Sequence, residues 1–147
     1  FYAVSRALPA PLARGWLGNR VIVQFMSMSL VTTDDRTLRR WIHEEHHRYF
    51  NGFSDAHTAA EGFRASISTD VGEAAPGVTV PTLLVAGEAD RIAPLAGQHR
   101  TVGRFPDARL VVIPGVGHLA HYETPDAIAD ALRGFLAELP SPAGPAR

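Results

Sequence analysis

The chain has 147 residues, 46% hydrophobic and 20% charged, a composition that suits one globular domain with a sizeable core and argues against disorder. A net charge of −1 supplies no field to draw in nucleic acid or an anionic membrane. There is no cysteine and no lysine. Disulfides, thiolate metal sites, a thiol nucleophile, Schiff-base chemistry and a phosphate-loop lysine are therefore excluded.

A cysteine-free chain is compatible with the cytoplasm, the expected location. No run approaches the roughly 18 apolar residues of a membrane span. The longest apolar stretch, VIVQFMSMSLV, is interrupted by Gln24, Ser27 and Ser29. The first residue is Phe1, so the sequence is expected to start inside a longer gene product.

In chain order, LPAPLARGWLG (8–18) reads as a helix end or a turn, because it carries two prolines and two glycines. Residues 21–31 form a buried helix or a strand, and their periodicity does not separate the two. TTDDR then supplies caps and early acids for a helix from about Arg36 to Phe53, with Leu38, Trp41, Ile42, Tyr49 and Phe53 on one side. Ser54 and Asp55 cap a further helix whose apolar stripe is Ala56, Ala59, Ala60, Phe63 and Ile67. GEAAPGVTVP (72–81) is a linker by composition.

Beyond it the period changes. PTLLVAG and ARLVVIPG are short apolar runs ended by Gly87 and by Pro114–Gly115, and they read as strands buried on both faces of a parallel sheet. Between them, residues 95–105 predict a short crossover helix through Leu95, Val102 and Phe105. A last helix opens with Thr124 as N-cap, Pro125 and Asp126, and presents Ile128, Leu132, Phe135, Leu136 and Leu139 to the core. The expected division is a helical region over 1–76, an α/β segment over 77–140 and a disordered tail over 141–147.

Reactive groups in open parallel sheets gather past the carboxyl ends of strands. The first strand leads into GEADRIAP, which carries Glu88 and Asp90; the second leads into GVGHLAHYE, which carries His118. Adjacent strands would bring an acid and a histidine to one edge. A carboxylate there fixes the imidazole tautomer, orients the ring and stabilises the imidazolium. Asp90 is the preferred acid, although it could simply cap a turn, with Glu88 in its place. His121 is read as a neighbour without a chemical role, and Glu123 as holding the loop and helix start.

Gly87, Asp90 and Pro94 fit the pattern G-x-x-D-x-x-x-P, and Gly115, Gly117, His118, Glu123 and Pro125 fit G-x-G-H-x-x-x-x-E-x-P. In these two motifs, over about Val80 to Leu139, the chain resembles the acid and histidine loops of the α/β-hydrolase superfamily. The resemblance implies the C-terminal portion of an α/β-hydrolase fold: parallel strands with crossover helices, preceded by a helical cap and a returning helix over 1–76. It further implies that Asp90 and His118 are the catalytic pair of a nucleophile–His–Asp triad needing no metal or organic cofactor.

Such a nucleophile sits on a G-x-S-x-G turn that precedes the acid, and no such motif occurs here. Ser27 has Phe25 two positions before it, and Ser29 has Val31 two positions after it, where small residues are needed. The nucleophile, serine or aspartate, is therefore expected upstream of Phe1. The segment is expected to be inactive alone and to need its N-terminal half, or another copy, to complete the sheet. The implied substrate is a small-molecule ester, lactone, amide or cleavable diketone under the cap. Phe25, Met26, Met28, Trp41 and Phe53 are available to line the pocket or to form ordinary core.

Two other readings compete. HEEHH (43–47) satisfies H-E-x-x-H, the pattern of a zinc hydrolase. Yet His43 and His47 share a side with Arg36 and Arg40, which predicts a solvated charged face. Phe50 and Phe53 fill the positions of a further ligand pattern, and Glu61 is a conceivable ligand without support from spacing. The other reading is a non-catalytic, truncated hydrolase-like interaction module.

Overall fold

The computed structural model describes residues 8–17, 19–50 and 55–140, which fall into two compact units, Phe1–Glu73 and Ala74–Arg147. The extension of the third helix to Phe53, the capping role of Ser54 and the tail 141–147 lie outside the described residues.

The first unit is helical. α1 (Ala10–Leu17) turns the proline-rich stretch into a helix rather than a turn, and α2 (Arg20–Leu30) resolves the ambiguous apolar run as helix. Asn19 starts α2 by accepting the Val21 N–H at 2.9 Å, a cap that the apolar pattern alone does not reveal. α3 (Arg36–Tyr49) begins where Asp35 Oδ1 accepts from Thr37 N at 2.8 Å and Leu38 N at 3.2 Å. α4 (Ala56–Ser68) is capped by Asp55, which accepts the Thr58 N–H at 2.8 Å. α2 packs on α3, and α1 on α4.

Burial corrects two expectations here. Ile42 and His46 are buried on α3, whereas Trp41 and Tyr49 of the predicted apolar side are 45% and 64% exposed. Phe25 and Met28 are exposed rather than core, and with Arg20, Val21, Gln24 and His47 they line an open recess of about 380 Å³. The linker is also ordered, as α5 (Val71–Ala74) followed by a 3-10 turn at Ala75–Gly77, because Gly72 and Ala75 are buried there.

The second unit is α/β. β1 (Thr82–Gly87) and β2 (Ala108–Ile113) pair in parallel, in register from Thr82 opposite Ala108 to Gly87 opposite Ile113. α6 (Leu95–Val102) makes the crossover and packs on both strands. Burial is confined to the carboxyl ends, at Ala86, Gly87 and Ile113, and the other strand residues keep partial exposure, so these strands are not buried along both faces as their composition suggests. The core is Ile113, Val116 and Ala120, with Val85, Val111, Ala127 and Ile128 against it.

α7 (Ala120–Glu123) follows the histidine loop, and α8 (Pro125–Glu138) closes the unit against β1. Thr124 is the N-cap residue of α8, as expected, but its hydroxyl makes no capping bond and donates to Ala120 O at 3.0 Å instead. At about 100° per residue, Ile128 and Phe135 share one narrow side of α8, and Leu132 and Leu136 fall on its flank. They are 47% and 54% exposed.

Gly87 is where the two loops meet. A Cβ there would lie 2.3 Å from Gly117 O and 2.4 Å from Val116 O, both backbone atoms. The requirement is for space. Gly87→Ala should therefore lower stability by about 1–3 kcal/mol, as overpacking does. An unchanged urea midpoint would contradict this packing.

Candidate active site

Parallel pairing sends the chain out of β1 and β2 at one edge of the sheet, and the loops that follow are laced together. Glu88 N–H donates to Ile113 O and Ala89 N–H to Val116 O, both at 2.9 Å. Gly115, at φ +68, turns the chain sharply after β2 in a backbone region that favours glycine. His118 follows at the rim, its side chain 39% exposed, while the Asp90 side chain is only 10% exposed.

These two side chains meet. His118 Nδ1 is 2.9 Å from Asp90 Oδ2, the geometry of an imidazole N–H donating to a carboxylate. Asp90 Oδ1 accepts from Ile92 N at 2.8 Å and Ala93 N at 3.0 Å. Both oxygens are therefore engaged, and the turn-capping role of Asp90 coexists with its bond to histidine. Glu88 does not take the acid position, because its Oε2 accepts the Gly115 N–H at 2.9 Å.

Burial pushes the Asp90 carboxyl up. The Ala93 N–H, the His118 hydrogen bond, the Ile92 N–H and the His118 charge outweigh that and hold it below its ordinary value of 3.8. Occupation of Nδ1 leaves Nε2 as the ring nitrogen able to accept a proton from a nucleophile. His121 packs against Tyr122, with ring centroids 4.4 Å apart.

The H-E-x-x-H histidines are half-buried and share an open recess with Arg36 and Arg40, but their rings bond to α2 rather than to solvent alone. Ser27 is fully buried, and its Oγ lies 2.6 Å from Nδ1 of both His43 and His46. A hydroxyl can donate to one imidazole and accept the N–H of the other. His47 Nε2 pairs with Gln24 Oε1 at 2.8 Å, and its Nδ1 is buried with no partner among the described residues. The zinc-ligand positions thus form a polar seam between α2 and α3. Among the described residues, no group of three or more His, Asp or Glu is disposed to hold a metal ion. No described helix is long and apolar enough to cross a membrane.

With this geometry in hand, the chain can be placed. The sequence profile of the alpha/beta hydrolase family matches residues 2–131. The chain belongs to that family. Over 72 residues it is 39% identical to the pimeloyl-[acyl-carrier protein] methyl ester esterase of Xanthomonas campestris pv. campestris, a match covering 49% of this chain and 28% of that protein. Among solved structures it resembles the enol-lactonase of Burkholderia xenovorans LB400 (TM-score 0.69, 22% identity, 93% of this chain and 48% of that one). It also resembles a thermophilic esterase of Thermogutta terrifontis (TM-score 0.68, 24% identity, 84% and 48%). At these identities the structural likeness bears on the fold. The chain spans about half of those solved chains and less than a third of the curated esterase.

The environments of these residues set two pH-dependent outcomes. The folded value of Asp90 is depressed, so the stability it contributes is present above about pH 3.8 and is lost as pH falls through that lower value. Asp90→Asn should remove this part of the acid limb in thermal melts; an identical limb would contradict the assignment. Burial, then the Arg39 charge, then His47 lower His43 below 6.5. Folding thus favours its neutral form, and stability is lost as pH drops from 6.5 through the folded value. Ser27→Ala strips both imidazoles of their shared partner and should cost about 1–3 kcal/mol, read by urea unfolding. A cost near zero would mean the seam is not formed.

Proposed function

We propose that this chain is the cap and C-terminal core segment of a hydrolase in which His118 is the general base and Asp90 its orienting acid. The reading rests on the 2.9 Å bond between Asp90 Oδ2 and His118 Nδ1 at the rim of two parallel strands. In the catalytic cycle His118 Nε2 takes the proton of the attacking nucleophile and returns it to the leaving group. It then activates the water that hydrolyses the covalent intermediate, while Asp90 stabilises the imidazolium through Nδ1. No step requires a metal or organic cofactor.

The nucleophile comes from a segment outside these 147 residues. None of them forms a G-x-S-x-G elbow, and Ser27, with two imidazoles beside it, is fully buried on a helix. That same segment, or another copy, supplies strands that complete the sheet, because two strands rarely form a stable sheet alone. Serine is the favoured nucleophile, since the curated Xanthomonas campestris relative is named as a methyl ester esterase. With aspartate in its place, the pair would activate water against an alkyl-enzyme. The substrate class is a small-molecule ester, with lactones, amides and cleavable diketones as neighbours in the same chemistry. The expected setting is the cytoplasm.

The test is kinetic, on the complete gene product that carries this sequence, with p-nitrophenyl acyl esters. His118→Asn should lower kcat by about 10⁶-fold with little change in KM, since the base acts in the transition state. Ester hydrolysis unaffected by that substitution would overturn the triad. A complete product without esterase, lactonase or amidase activity would favour a non-catalytic interaction module instead.

A further inference from the structure

Glu88 lies two residues before the triad acid and takes no part in the chemistry above. Its side chain nevertheless crosses from the acid loop to the histidine loop, where Oε2 accepts the Gly115 N–H at 2.9 Å. Gly115 is the positive-φ turn residue three positions before His118. The neighbouring residue makes a second crossing, Ala89 N–H to Val116 O at 2.9 Å. A single hydrogen bond at Val116 would define a pivot; bonds at both Gly115 and Val116 define an orientation.

The lever arm makes this matter. His118 lies two residues beyond Val116, so the arm extends up to about 7 Å, and a rotation of roughly 10° about Val116 would move the histidine by about 1.2 Å. That exceeds the spread of N–H···O distances, about 2.7–3.2 Å, within which the Asp90 bond survives. Gly87, pressed beneath the carbonyls of Val116 and Gly117, closes the remaining space on that side.

We infer that Glu88 is a positioning residue, whose carboxylate clamps the Gly115 turn so that His118 is delivered to Asp90 as the Nδ1–H tautomer. This rests on the reading of Asp90 and His118 as the catalytic pair. It adds to that reading a second acid with a distinct role. Asp90 holds the imidazole, and Glu88 holds the backbone that carries it. Glutamate suits this role because its extra methylene spans from one loop to the other, and a neutral glutamine of equal length keeps an oxygen acceptor.

The experiment is ¹⁵N NMR of the complete gene product that carries this sequence, under alkaline conditions where imidazoles are neutral, since ring nitrogen shifts report the tautomer directly. The wild type should show His118 as the Nδ1–H form. Glu88→Ala should give mixed tautomers and exchange the Gly115 amide about tenfold faster. Glu88→Gln should keep the wild-type tautomer and slow exchange, which separates a clamp from a simple effect of negative charge. Should Glu88→Ala not fold, Glu88→Asp takes its place with the same expected outcome, having the charge but not the reach. Unchanged tautomer and exchange in the shortened variant, or glutamine behaving like alanine, would overturn the clamp. Asp90→Ala serves as the reference for the underlying pair. A tautomer unmoved by that substitution would overturn the Asp90–His118 reading itself, and the clamp with it.

Discussion

The parallel pairing of β1 with β2 is the constraint on which everything else in the α/β unit depends. Parallel strands leave their sheet at the same edge, so the residues that follow Gly87 and Ile113 become neighbours although 28 positions separate Asp90 from His118. Neither loop alone could make the pair. The acid loop contributes a carboxylate already held by two backbone N–H groups, and the histidine loop contributes a ring whose backbone is tied back to the acid loop. Each side therefore holds its geometry before the imidazole and carboxylate meet, which is the preorganisation the proposed general base would need.

The helical unit obeys a different rule. Its α2–α3 contact is made partly by Gln24 and Ser27 facing His43, His46 and His47, with Ile42 and Val23 buried alongside. Buried polar groups are tolerated when their hydrogen bonds are satisfied, and a serine hydroxyl between two imidazoles satisfies both from one atom. The same residues look like zinc ligands in the sequence. The chemistry that makes histidine a metal ligand, a directional ring nitrogen on a rigid side chain, also makes it a good interhelical partner for serine.

The sequence is informative where signals are local. Apolar runs ending at Gly87 and at Pro114–Gly115 mark both strands, and the spacing of Asp90 and His118 marks the pair. Caps built from one aspartate and the next turn, such as Asp35, are equally plain. What escapes is whatever depends on a second element. Apolar residues alone orient the wheel of α3 so that Trp41 and Tyr49 face the core and His46 does not, because the complementary Ser27 lies nineteen positions away. The Glu88–Gly115 bond has no signature at all. Nothing in a glutamate two residues before an aspartate says which backbone amide on another loop will reach it.

The most direct measurement is a crystal structure of the complete gene product that carries this sequence, refined well enough to place the His118 ring. Nδ1 should be on Asp90, and Nε2 within about 2.6–3.2 Å of a serine or aspartate oxygen presented by a strand-to-helix turn outside residues 1–147. A His118 whose Nε2 faces no nucleophile, or an attacking residue served by a different histidine, would contradict the account.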